Sequence, residues 1–202
     1  MMATGLQKCF SEASLNGLTL RNRIIKAGTF EGKTPHGLPS ADLTELHRRI
    51  GEGGTGMTTI AYCAAENNGR LHADMMYMDE YVREPLSQMI ATIKTTGAKV
   101  SGQLSHAGAM TKNSEMEGWV AKSASFGPNL LGMAYGRFLS LGMTRPQLRA
   151  RTQAMARAAA FMRSVGFDAI EIHFGHGYGL SQFMSPITNR RSDEYGGSVA
   201  NR

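Results

Sequence analysis

A chain of 202 residues is long enough to bury a sizeable core, as one large domain or two small ones. Its apolar fraction of 42% and charged fraction of 19% belong to a globular protein and exclude a disordered one. The net charge of +6 comes from scattered lysines and arginines, never in a run interleaved with aromatics, so no nucleic-acid partner is expected.

In chain order, the first twenty residues hold Cys9 but no continuous apolar segment, and no long apolar run follows. Neither secretion nor membrane contact is expected, and a cytoplasmic protein with reduced thiols is. Cys9 and Cys63 are far apart and make no C-x-x-C. The run RIIKAGTF, Arg23 to Phe30, predicts a first strand. Ser40 is a good N-cap for a helix that places Leu43, Leu46, His47 and Ile50 on one face. The following GEGGTG, Gly51 to Gly56, matches a dinucleotide fingerprint in letters only. That fingerprint must follow a strand and open a helix, whereas this segment follows a helix and precedes the strand Met57–Ala65. It reads as a helix end and a turn.

A second helix begins near Pro85, with Leu86, Met89, Ile90 and Ile93 as its stripe and Gly97 closing it. Lys99–Gly108 predicts the third strand, followed by a long loop rich in Gly, Ser and Asn. Thr144 and Gln147 form a capping box for a third helix whose buried face carries Leu148, Met155, Ala159 and Met162. Gly166 ends it, and DAIEIHFGHG supplies the fourth strand. Strands alternating with helices imply parallel βα units, in an open doubly wound sheet or a closed (β/α)8 barrel. Both architectures collect their chemistry in the loops after the strands.

The fourth strand runs into such a loop. By the period of two, Ile170 and Ile172 face one way and Glu171 and His173 the other. Glycines at 175, 177 and 179 bracket His176 and Tyr178 and leave the backbone free to aim both rings. A His-x-x-His metal site lacks a third ligand nearby and a helix to hold it. Hydrogen-bonded loop histidines are the alternative if the stretch is taken alone. The third strand carries Gln103 toward the same rim, where its amide is either a structural hydrogen-bonding group or a partner for a planar heterocycle.

Taken together, NRIIKAGTF, AYCAAENNGR, QLSHAG and EIHFGHGYGLSQFMSPITNRRSDEYGGSVANR resemble the successive motifs of the old yellow enzyme family, FMN-dependent ene-reductases on a (β/α)8 barrel. The resemblance runs from about Leu18 to Arg202, and its last segment is the most specific. It implies non-covalent FMN as cofactor and NADH or NADPH as electron donor. It also implies an activated alkene, such as an enone, as the small-molecule substrate. By resemblance, Gln103 hydrogen-bonds the flavin pyrimidine, and Ala27, Gly28 and Thr29 pass beside the flavin. His173 and His176 bind the carbonyl oxygen of the substrate, and Tyr178 protonates its α-carbon. Two positions depart from the family pattern: Phe30 replaces a Thr or Cys, and Tyr62 stands where a Gly or Ala lies close to the flavin carbonyl.

A complete barrel of this kind needs roughly 250 residues, and four strands are read here. Residues 1–202 are therefore expected to form the N-terminal half of an FMN-binding barrel domain, truncated at the start of its fourth helix. Such a half leaves two sheet edges open, so the isolated chain is expected to be unstable, aggregated or self-associated, a homo-oligomer among these, and to hold FMN only weakly. The competing expectation is a catalytically inactive half-barrel that acts only by self-association or partner binding.

Overall fold

The computed structural model describes residues 5–112, 120–130 and 132–202, so part of the long loop after the third predicted strand lies outside it. A short helix, α1 (Gly5–Cys9), precedes a hairpin of β1 (Ala13–Leu15) and β2 (Leu18–Leu20), turned at Asn16 and Gly17. Strand and helix then alternate: β3 (Ile25–Lys26), α2 (Ala41–Glu52), β4 (Met57–Ala64), α3 (Arg83–Lys94) and β5 (Lys99–Ser105). An excursion carries β6 (Ala121–Ser123), β7 (Gly127–Pro128) and β8 (Leu139–Gly142) as a small sheet of its own. The chain continues with α4 (Arg145–Ser164), β9 (Ala169–Ile172) and α5 (Gly179–Met184).

The main sheet has the order β3-β4-β5-β9, every neighbour parallel. A doubly wound sheet reverses its order at a switch point. Here each strand adds beside its predecessor, and α2, α3 and α4 pack on one face in a single core, as in a closing barrel. That core joins Leu43, Leu86, Ile90, Ile93 and Met162 of the helices to Ile60, Val100 and Leu104 on the helix side of β4 and β5. Alternation sends Thr59, Ser101, Gln103 and Glu171 to the inner face.

Helix starts follow their caps. Ser40 accepts from the Leu43 amide, and Thr144 with Gln147 forms the full capping box of α4. GEGGTG is a helix end and turn, with Gly53 as C-cap and Gly54 at a φ of 96°. The predicted strands are shortened at their C-terminal ends. β3 pairs over two residues, not eight, because after Lys26 the chain leaves the ladder to bring Glu31 back to the Lys26 ammonium and to the Ala61 amide. β5 stops at Ser105 because residues 108–110 close a 3-10 turn. Among the described residues no helix is long and apolar enough to cross a membrane.

Candidate active site

The ladder of β9 extends one bond past the strand, from the His173 amide to the Leu104 carbonyl at 3.0 Å. The chain then turns through Gly175, His176 and Gly177, the last two at positive φ, into α5. The Gly175 amide donates to Nδ1 of His173 at 3.1 Å. Nδ1 of His173 is therefore an acceptor, and the proton of the neutral ring sits on Nε2. Nε2 lies 3.1 Å from Nδ1 of His176, so His173 donates to His176 and leaves Nε2–H of His176 as the outward donor of the pair. Burial, followed by the neighbouring His176, pushes the His173 imidazole below its ordinary range, which keeps it in this neutral form.

Tyr178 is buried, and its hydroxyl is 3.2 Å from that of Tyr62 at the end of β4. Burial, then the Tyr62 hydroxyl, raises the Tyr178 phenol well above its ordinary range. The rings form one cluster. Tyr62 stacks parallel to His173 at 5.9 Å, and Tyr178 meets His173 edge-on at 4.9 Å. Phe30 covers Tyr62 at 6.1 Å, and His72 meets Phe30 edge-on at 5.4 Å. Phe30 is 60% exposed, so this wall opens to solvent.

Gln103 is buried on the inner face, and its Nε2 donates to Oε1 of Glu171 at 2.5 Å. The amide lies directly over Gly28: a Cβ there would stand 2.6 Å from Nε2. Only a glycine lets the first segment pass so close to the amide. Of the three first-segment residues, Gly28 meets Gln103, whereas Ala27 and Thr29 are exposed beside it. The segment is held by the ion pair of Lys26 with the nearly buried Glu31, whose Oε2 accepts from the Ala61 amide at 3.3 Å. Lys26 also donates to the Thr59 carbonyl at 3.1 Å. One half-buried ion pair thus ties together the Gly28 segment and the backbone just before Tyr62.

The sequence motif TNRRSDEYGG does not join the rings. Arg191 pairs with Asp193 and donates to the carbonyls of Ala124 and Met143, and Arg190 donates to the Phe126 carbonyl at 2.7 Å. It clamps the excursion sheet onto the segment after α5. Sequence reading missed the Lys26–Glu31 anchor, His72 and the Gln103–Glu171 link. For the last, the period of two already put both side chains on the inner face, but adjacency across strands needs the register Gln103 to Glu171.

The residues fit a flavin on two counts. The backbone at Gly28 passes against an amide that offers both acceptor and donor, and a polar inner face ends in a wall of rings. The arrangement carries one imidazole N–H and one phenol hydroxyl on neighbouring rings, His176 and Tyr178, whose centroids are 5.9 Å apart.

The chain matches the NADH:flavin oxidoreductase / NADH oxidase family over residues 9–202. It is 42% identical over 194 residues to 4,4'-dithiodibutanoate disulfide reductase of Rhodococcus erythropolis, covering 96% of this chain and 47% of that protein. It is 32% identical to an NADPH dehydrogenase of Bacillus licheniformis, covering 97% of this chain and 56% of the relative. Among solved structures, Old Yellow Enzyme from a Pichia species superposes with a TM-score of 0.87 at 20% identity, over 96% of this chain and 53% of that one. Morphinone reductase in complex with tetrahydroNAD gives 0.84 at 20% identity, over 96% and 56%. The chain thus spans about half the length of the curated relatives it matches, and it has the fold of the corresponding half of these barrels.

Proposed function

The chain belongs to the NADH:flavin oxidoreductase / NADH oxidase family, and from that premise we propose that its ring cluster is the substrate face of an FMN-dependent oxidoreductase acting on activated alkenes. Bound FMN, held in part by Gln103, Tyr62 and the Ala27–Thr29 segment, would supply a hydride taken from NAD(P)H. The observation that carries the reading is the tautomer chain His173 to His176, ending in an outward N–H on a ring that meets the Tyr178 ring edge-on at 5.9 Å.

The residues divide the work as follows. His176, backed by His173, donates to the carbonyl oxygen of an enone and stabilises the negative charge that develops there as the β-carbon receives hydride. Tyr178 then gives its proton to the α-carbon, and water returns one to the phenolate. A phenol raised above its ordinary range is fully protonated at neutral pH, as an acid must be. In this reading the exposed Phe30 and the Tyr62 ring bound the pocket and set which alkenes enter.

A second reading is favoured by the Rhodococcus relative, whose name states a disulfide as substrate. Hydride delivered to one sulfur breaks the S–S bond, giving one thiol and one thiolate. A thiolate with a pKa near 8.5 departs without help from an acid, whereas a carbon must receive its proton from one. Tyr178 is therefore indispensable for alkenes and dispensable for disulfides.

The test is Tyr178→Phe in the FMN-loaded protein, with the two half-reactions followed separately by the flavin spectrum. Reduction by NADPH should be unchanged, and reoxidation by cyclohexenone should slow by about 10²- to 10⁴-fold, the usual worth of a positioned acid. Reoxidation by a dicarboxylate disulfide should fall less than about threefold, for want of any step that needs the phenol. Unchanged reoxidation by cyclohexenone overturns the alkene reading.

A further inference from the structure

We propose that Gln182, on α5 and outside the ring cluster, is a positioning residue that holds the His176–Tyr178 turn in register with the loop after β5. The inference rests on the functional reading above for its consequence, but not for its geometry.

Gln182 is 2% exposed, and every hydrogen-bonding group it has inside is committed. Its Nε2 donates to the Gly177 carbonyl at 2.6 Å, midway between His176 and Tyr178. Its Oε1 accepts from the Ala109 amide at 3.1 Å. Its own amide donates to the Tyr178 carbonyl at 2.9 Å, and its carbonyl accepts from the Thr188 hydroxyl at 2.7 Å. The side chain therefore bridges two loops from two different strands, with the donor end on one and the acceptor end on the other. A second tie runs parallel, from the Gly179 amide to the His106 carbonyl at 2.7 Å. Gly177 is at a φ of 70° and His176 at 58°, so the turn has a conformation that an unsupported chain leaves readily. An amide satisfies both bonds at every pH, because it carries a donor for the carbonyl and an acceptor for the N–H.

The geometry makes a charge-dependent prediction. In Gln182→Glu the ionised carboxylate still accepts from Ala109 but sets a second oxygen against the Gly177 carbonyl. Protonated, the same carboxyl donates to Gly177 and restores the bridge. Burial raises that carboxyl above its ordinary value near 4.3. The titratable groups around it are His106 on the β5 loop, His176 and Tyr178 on the turn, and Arg190 across a cavity of about 420 Å³ that Gln182 also lines. His106 stays neutral down to about 4, so it does not titrate in the window.

Two variants, Gln182→Glu and Gln182→Met, are compared with wild type between pH 5.5 and 8. The first readout is the imidazole ¹⁵N resonances of His173 and His176 in the resting protein, and the second is reoxidation by cyclohexenone of the FMN-loaded form. For Gln182→Glu, resonances and rate should match wild type at low pH and diverge as pH rises, the rate ratio falling by about tenfold or more, as sub-ångström misplacement of reacting groups demands. Gln182→Met, isosteric and without either bond, should show the displaced resonances at every pH. Resonances and rate ratios in Gln182→Glu that match wild type at every pH overturn the proposal, whatever that variant's melting temperature. If wild type fails to reoxidise with cyclohexenone, the alkene reading falls while the resonances still decide the role of Gln182. Should Gln182→Glu fold poorly, wild-type resonances in Gln182→Met overturn the proposal and displaced ones support it.

Discussion

At the scale of single residues, the site is built from close approaches that one atom disturbs. Gly28→Ala places a methyl 2.6 Å from Nε2 of Gln103 and must push the amide off its bond to Glu171. Fold stability should change little, since Gly28 lies outside the core, while FMN affinity should weaken by about tenfold, the equivalent of 1.4 kcal/mol. A flavin titration checks it, and an unchanged Kd removes Gly28 and Gln103 from the cofactor site. His106 makes a different prediction. Its Nδ1 accepts from the Gly108 amide, and its Nε2 is 3.3 Å from a Glu66 carboxylate already engaged by Arg151. Burial prevails and pushes the imidazole down to about 4. The unfolded chain, near 6.5, takes up that proton first. The contribution is therefore complete above about 6.5 and is lost as pH falls toward 4, on the order of 3 kcal/mol in all. Urea midpoints measured across this window should fall on the acid side, and His106→Gln should flatten that limb. An equal acid slope in the variant would refute the assignment.

At the scale of elements, β5 shows how a strand is bought close to a helix: the absence of a Cβ at Gly102 lets Met162 and Phe167 lie against its backbone. A Cβ at that position would stand 2.3 Å from Cε of Met162 and 2.7 Å from Phe167. Gly102→Ala should overpack the core and cost about 1–3 kcal/mol, read as a lower urea midpoint with an unchanged slope. A midpoint at or above wild type would show that α4 yields at no cost. The same elements show what a sequence discloses. α2 and α4 were legible because Ser40 and Thr144–Gln147 are caps whose chemistry is local. The excursion sheet was not, because β6, β7 and β8 are two to four residues long, too short for any period to register. The hairpin of β1 and β2 went unread although Asn16-Gly17 is a strong turn signal. In the site, His173, His176 and Tyr178 were legible as one run, whereas the Tyr62–Tyr178 hydroxyl contact joins residues 116 apart. Period and capping are local, and contacts of that separation follow from how the strands add to the sheet.

At the scale of the whole molecule, the helix side of the sheet is closed and the two ends of the sheet are not. Among the described residues β3 and β9 each have a strand on one side only, and Ile25, Ile172 and Phe174 at these ends are 43%, 44% and 51% exposed. Unpaired backbone groups beside exposed apolar side chains are a template for another strand. The 202-residue chain by itself should accordingly self-associate with rising concentration, and sedimentation should show mean masses above that of one copy. Charge at the ends opposes edge pairing, so Ile25→Lys with Ile172→Lys should return the mean mass toward the monomer while leaving the far-UV spectrum intact. The exposed Leu139 at the start of β8 and Phe138 just before it supply the control. If replacing them with serine disperses the protein and the edge lysines do not, apolar patches rather than open edges drive association. A single monomeric species at all concentrations would mean that neither edge is available, and that the Gln103 amide and the ring cluster sit on a sheet already stable alone.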